Sequence, residues 1–199
     1  MQLKNKYWYY KNVFPKHLCN NIISYALNKN VADGLIVGTK NNKGLDDNVR
    51  KSNVVWLDEK WLYIKLLNIV KHANTQADWN FEISTAETVQ FTIYKQGMHY
   101  DWHEDAFEEP YPQTVDNESL RGKTRKISLS LLLNDDEDYR GGEFEVDFGH
   151  RNRPTKTCYE IGNAGDCIVF PSDLLHKVRP VTRGIRYSLV MWTVGNPFK

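Results

Sequence analysis

Two histidines and three acidic residues crowd into seven positions, His99-Tyr100-Asp101-Trp102-His103-Glu104-Asp105, in a chain that has only six histidines. On a β-strand, residues i and i+2 share a face. A His-x-Asp triplet on a strand therefore sets an imidazole beside a carboxylate and turns the middle residue away. That pair supplies two ligands of the 2-His-1-carboxylate triad, which leaves three positions of an octahedral iron free. The template fits twice, as His99-x-Asp101 and as His103-x-Asp105, and spacing alone does not choose between them.

The third ligand must come from elsewhere in the chain, and His176 is the candidate. It follows the turn Gly165-Asp166 and the apolar run Cys167–Phe170, which Pro171 stops. A histidine just past a strand end sits at the mouth of a barrel, where ligand sites gather. Ten residues on comes Arg186, then Ser188, on one face of a strand. A guanidinium beside a hydroxyl makes a carboxylate receptor, because arginine can bind a carboxylate with two parallel hydrogen bonds. Each residue alone has an ordinary reading: a surface triplet, a satisfied turn histidine, a salt-bridged arginine. Their order in one chain is what points to a site. A zinc hydrolase built on His99, His103 and His176 is a competing reading, and a non-catalytic jelly-roll binding module is another.

The elements that must position these residues fall into two parts. Pro15 opens a helix with Leu18, Ile22, Ile23, Ala26 and Leu27 at helical spacing. A Gly/Asn/Lys/Asp-rich stretch, 33–48, reads as a loop, long enough to be a lid. Asp58 is placed as the N-cap of a second helix whose Leu62, Leu66, Ile69, Val70 and Ala73 share one face. From about residue 86 the period changes to two: Val89, Phe91 and Ile93 alternate with Gln90, Thr92 and Tyr94. Further strands are expected at 127–133, 143–148, 157–161, 167–170 and 185–194, with 108–126 a polar loop. Short strands with regular turn signals predict a double-stranded β-helix, or jelly roll, with the N-terminal helices packed on one sheet, an α+β fold. Residues 1–85 would form the helical support with its lid-like loop and 86–199 the jelly-roll core, as one structural unit.

Composition excludes several partners. Lysine plus arginine number 26 against 25 acidic residues, a formal charge of +1, so no nucleic acid is expected. The N-terminal MQLKNKYWYY lacks the apolar core of a signal peptide, and no apolar run approaches the ~20 residues that span a bilayer. Cys19, Cys158 and Cys167 are odd in number and far apart, as in a reduced, cytoplasmic protein. Six tryptophans and eleven tyrosines suit a β-rich core and an aromatic groove. Oligomeric state is not legible.

Taken as blocks, the second half resembles the prolyl 4-hydroxylase-like branch of the Fe(II)/2-oxoglutarate dioxygenases, including the PKHD-type hydroxylases of bacteria and related phage proteins. The resemblance runs through Tyr94-x-x-Gly97, Tyr100-x-Trp102-His103-x-Asp105, Ser128–Leu133 and Tyr139-x-Gly141-Gly142-Glu143-Phe144. It continues in Gly165-Asp166, Phe170-Pro171-Ser172 and Leu175-His176-x-Val178-x-Pro180-Val181-Thr182-x-Gly184-x-Arg186. Arg50-x-Ser52 and Trp56-Leu57 extend it weakly to the N-terminal part.

The resemblance implies a register. The family's glycine stands six residues before its first iron ligand, as Gly97 does before His103, so the metal set is His103, Asp105 and His176, with His99 and Asp101 beside it. It also implies that Arg186 anchors the distal carboxylate of 2-oxoglutarate, with Tyr94 and Ser188 assisting, and that Asp166, Gly141 and Gly142 are turn residues. The implied cofactors are Fe(II), 2-oxoglutarate and O2, with ascorbate as an optional reductant. The implied reaction couples decarboxylation of 2-oxoglutarate to succinate with hydroxylation of a C–H bond. The substrate would be a prolyl residue of a peptide or protein, or else a free amino acid or small metabolite, in the cytoplasm (the host's, if phage-encoded).

Overall fold

In the computed structural model, the described residues are 3–198 apart from 35, 40, 41, 45 and 150–154. The first half runs β1 (Trp8–Tyr10), α1 (Lys16–Leu27), β2 (Ala32–Asp33), β3 (Ile36–Thr39), β4 (Asn42–Gly44), β5 (Arg50–Lys51), β6 (Asn53–Leu57), α2 (Lys60–Gln76), β7 (Thr85–Ala86) and β8 (Val89–Tyr94). The second runs β9 (His99–His103), β10 (Thr124–Leu132), β11 (Tyr139–Gly141), β12 (Phe144–Asp147), β13 (Lys156–Thr157), β14 (Cys167–Pro171), β15 (Leu175–Val178), β16 (Val181–Gly184) and β17 (Arg186–Gly195). The major sheet is ordered β1-β14-β10-β17-β8-β6-β2, with β7 also on β17, and the minor sheet β13-β12-β15-β9-β5. These two sheets form the expected jelly roll.

Period two sorts the major sheet's residues onto its faces. On β8, β10 and β17, one face carries Phe91, Leu129, Leu131, Leu189 and Met191, which pack with Leu62, Leu66, Val70 and Ala73 of α2 into one core. The opposite face carries Tyr94 and Leu132, which join Phe144, Val146, Phe170 and Val178 in a second core facing the minor sheet. The polar partners of that alternation, Gln90, Thr92, Ser128, Ser130, Arg186 and Ser188, are buried. Polar groups in mid-strand cost free energy when buried unpaired, so their presence on the inner face marks a polar cavity between the sheets.

Several local expectations change. The residue capping α2 is Glu59, not Asp58; Glu59 is drawn in by Lys29 and Tyr25, while the Asp58 side chain is largely exposed. On α1, Leu27 is exposed, and Cys19 takes a place in the buried stripe with Ile22 and Ala26. The strand expected over 157–161 is only Lys156–Thr157, because the chain turns and exposes Tyr159. The 33–48 stretch is not a plain loop: β3 pairs antiparallel with β4. The lid reading for that stretch rests partly on positions 35, 40, 41 and 45, which lie outside the described residues. Among the described residues, no helix is long and apolar enough to cross a membrane.

Candidate metal and co-substrate site

His103 ends β9 and His176 sits in β15, and antiparallel pairing sets the two residues directly opposite each other. His176 is therefore inside a strand rather than past the end of one: Pro171 closes β14, a turn follows, and β15 starts anew against β12 and β9. Asp105 lies beyond the end of β9. Its place is not set by strand alternation but by its amide, which donates to the Ser172 carbonyl at 2.9 Å, as does that of Ala106 at 2.8 Å. These bonds bend the chain and carry the carboxylate back over the two imidazoles.

The ligand atoms of His103, Asp105 and His176 all lie within 4.8 Å of one another. His103 Nε2 is 3.8 Å from Asp105 Oδ1, and His176 Nε2 is 3.6 Å from Asp105 Oδ2. Each imidazole donates Nδ1–H to the carbonyl two residues earlier, His103 to Asp101 at 2.7 Å and His176 to Leu174 at 2.8 Å. A carbonyl can only accept, so each ring carries a proton on Nδ1 and turns Nε2 toward the carboxylate; the neutral form then has the tautomer a metal requires. Burial first, then the neighbouring His176, pushes the His103 pKa down to about 3; it is unprotonated through neutral and mildly acidic pH. Burial would raise the Asp105 carboxyl, but His176, His103, Arg125 and the Ser128 hydroxyl outweigh it and hold it below its usual range. Ser128 is in turn bonded to Ser172 at 2.9 Å.

His99 stands outside this cluster, with Nε2 3.2 Å from the Asn48 carbonyl, and Asp101 is exposed. Among the described residues, His103, Asp105 and His176 form the one group suited to a metal. Tyr100 stacks on His103 with ring centroids 3.4 Å apart, and the Arg50 guanidinium lies 4.7 Å from the Tyr100 ring centre.

The cluster opens into a cavity that also reaches Arg50, Tyr94, Arg186, Ser188 and Trp192. Arg186 pairs with Tyr94 across β17 and β8, and its guanidinium carbon is 5.6 Å from the Tyr94 ring centre. Its Nη1 donates to Ser188 Oγ at 3.0 Å. The residue is 1% exposed and, among the described residues, its buried Nε has no hydrogen-bond partner. A buried cation with an unused donor, facing a cavity, fits a carboxylate ligand. At the other end, two imidazoles and one carboxylate fit a divalent first-row metal. The six expected site residues, Tyr94, His103, Asp105, His176, Arg186 and Ser188, therefore all line one cavity. The turn reading of Asp166 also fits, since its carboxylate accepts the amides of Asn12, Gly162 and Asn163.

One buried pair had no signal in the sequence. Arg125 donates twice to Glu87, at 2.6 and 2.7 Å, and once to the Asp105 carbonyl at 3.2 Å. Its guanidinium is packed between Phe107 and Trp192. Glu87 and Arg125 are 38 positions apart, so only the fold joins them. Glu87→Ala would leave this arginine charged and buried, and is expected to destabilise the protein by about 3–5 kcal/mol, the cost of breaking a buried pair from one side. Urea unfolding checks this; the double variant Glu87→Ala/Arg125→Met should recover much of the loss.

Comparison with known proteins follows the same lines. The model of the 2OG-Fe(II) oxygenase superfamily matches residues 89–194, just over half of the chain. A PKHD-type hydroxylase of Teredinibacter turnerae is 36% identical over 103 residues, covering 52% of this chain and 41% of that protein. The PKHD-type hydroxylase YbiX of Escherichia coli is 36% identical over 137 residues, covering 66% of this chain and 55% of its own length. The chain thus spans about half the length of the curated relatives it matches. In fold it is similar to a Pseudomonas putida prolyl-4-hydroxylase (TM-score 0.68, 18% identity, 98% of this chain and 95% of that one). It is also similar to the viral collagen prolyl hydroxylase of Paramecium bursaria Chlorella virus-1 in its 2-oxoglutarate complex (TM-score 0.66, 20% identity, 96% and 97%). A jelly roll with a His-Asp-His cluster at one end of its cavity and a buried arginine at the other, matched from Val89 to Val194, belongs to the 2OG-Fe(II) oxygenase superfamily.

Proposed function

We propose that the protein is an Fe(II)- and 2-oxoglutarate-dependent dioxygenase that hydroxylates a prolyl residue of a peptide or protein. The observation that supports this reading is the shared cavity: a three-ligand metal cluster faces a buried arginine whose Nε has no hydrogen-bond partner among the described residues. His103, Asp105 and His176 would hold the iron. Arg186 and Ser188 would take the distal carboxylate of 2-oxoglutarate, and the Tyr94 hydroxyl would donate to it.

When bound, iron and 2-oxoglutarate supply the oxidation: dioxygen and 2-oxoglutarate are consumed, succinate and carbon dioxide leave, and one oxygen atom enters the substrate C–H bond. The chain's own residues prepare this without proton transfer. Backbone carbonyls fix both imidazoles, so neither ring need turn when metal enters. Phe144 and Phe170 pack against the His176 ring and keep water from that side. Such exclusion and orientation are the protein's share where cofactors carry the reaction.

The peptide reading rests on the aromatic rim. Trp56 is half exposed, and its ring lies 6.5 Å from that of Trp192 at the cavity wall. Flat aromatic faces suit a pyrrolidine ring. A prolyl hydroxylase from Trichoplax adhaerens, solved with a hypoxia inducible factor peptide fragment, shares the fold (TM-score 0.64, 16% identity). The test is incubation of the iron-loaded protein with 2-oxoglutarate, air and a proline-containing peptide library, read by mass spectrometry. Peptides should gain one oxygen atom on proline, matched by equimolar succinate. Succinate matched instead by a hydroxylated free amino acid would move the substrate to a small metabolite, and no succinate with any substrate would overturn the proposal.

A further inference from the structure

We infer that Gly142, together with Tyr139, is a positioning residue that seats the Arg186 side chain from behind and thereby sets the affinity for 2-oxoglutarate. This rests on the assignment of Arg186 as the carboxylate anchor. Gly141 and Gly142 both hold left-handed backbone, with φ of +73° and +69°, but they differ in what surrounds them. A Cβ on Gly141 would meet backbone, the Pro180 carbonyl oxygen at 2.2 Å. A Cβ on Gly142 would meet side chains: Arg186 Cδ at 2.9 Å, Val181 Cγ2 at 3.1 Å and Tyr139 Cε2 at 3.4 Å. The absence of a side chain at 142 is therefore the space that the Arg186 stem occupies.

Arg186 has little freedom to give way. It is fully buried, its Nη1 is engaged by Ser188, and Tyr94 lies across the sheet. It also forms a wall shared by two cavities, the one that reaches the metal cluster and a rear one of about 220 Å3 lined by Tyr139, Gly142 and Cys158. On the rear side its backing is Gly142 and the Tyr139 ring. Burial raises the Tyr139 pKa, and the guanidinium beside its hydroxyl works against that rise. A methyl group at 142 would displace the guanidinium while leaving the three metal ligands untouched, since those stand on β9, β15 and the bend after β9.

The test is anaerobic calorimetry of 2-oxoglutarate binding to the Fe(II)-loaded protein, with iron affinity measured in parallel. Gly142→Ala is expected to weaken 2-oxoglutarate binding by about tenfold or more, the scale of an overpacking penalty borne at the binding site, with iron affinity unchanged. Gly149→Ala is the control for backbone strain alone: its φ is +67° and an added Cβ meets nothing within 4 Å among the described residues, so both affinities should hold. Tyr139→Phe keeps the ring that backs Arg186 and removes the hydroxyl beside its guanidinium, and should weaken 2-oxoglutarate binding about threefold, the scale of one modest polar interaction. Normal 2-oxoglutarate affinity in a folded Gly142→Ala protein would overturn the inference. Should that variant not fold, normal affinity in Tyr139→Phe would do the same. Arg186→Ala is run beside them: if it too binds normally, the anchor assignment itself falls, whereas weak binding there with normal binding in Gly142→Ala removes this inference alone.

Discussion

Arg186→Ala is expected to weaken 2-oxoglutarate binding by about a hundredfold or more while iron still binds. Truncating one partner of a buried, hydrogen-bonded charge pair costs about 2–5 kcal/mol, and 1.4 kcal/mol is tenfold. Arg186 meets the conditions for the upper part of that range: it is 1% exposed, and one donor is held in reserve on Nε. No metal ligand is on its strand. Lysine should restore part of the affinity, keeping the charge but losing the two-pronged geometry. Arg179 and Arg183 are near in sequence yet exposed, Arg179 in ion pairs with Glu143 and Glu145 and Arg183 on β16. Their alanine variants should bind 2-oxoglutarate normally. Calorimetry of the variants at saturating iron decides; unchanged affinity in Arg186→Ala would sink the co-substrate assignment.

Alanine at His103, Asp105 or His176 is expected to have the other large effect, loss of iron affinity by well over a hundredfold and with it all turnover. Losing an outer-shell partner already costs about 10–100-fold in metal affinity, and these are the inner ligands. Asp105→Ala should be as severe as either histidine variant, because the carboxylate is the only formal negative charge among the three ligands. His99→Ala should retain iron and activity, since its ring is spent on the Asn48 carbonyl. Iron content and succinate production of the four variants are the readout. Activity in His103→Ala with none in His99→Ala would show the register to be wrong.

How much of this was readable before any coordinates follows from which contacts are local. The face-sorting of β8, β10 and β17 is a period-two signal, and it survives intact: Val89, Phe91 and Ile93 face the helices, and Tyr94 and Ser188 face the cavity. Choosing His103 over His99 needed the family's glycine register, because both triplets share one stretch of alternation. Strand alternation does not place Asp105. The carboxylate lies beyond β9, steered by a carbonyl 67 positions away, and no local pattern encodes that bond. The same holds for Glu87 with Arg125 and for Arg50 on Tyr100. Both are pairings between strands or loops distant in sequence, and a single sequence carries no mark of which buried charges will meet. Gly142 is a sharper instance. A glycine pair there reads as a turn, yet Gly141 ends β11 in register with Val181 and Gly142 links it to β12; only the packed structure shows that one member stands against backbone and the other against the arginine.

In the proposed function, the metal cluster and Arg186 serve one ligand between them. Titrating 2-oxoglutarate anaerobically into the protein with and without Fe(II) tests it most directly. Bridging predicts one equivalent bound, tighter by at least about tenfold when iron is present, and by linkage an equal gain in iron affinity when 2-oxoglutarate is present. Equal 2-oxoglutarate affinity with and without iron would contradict it.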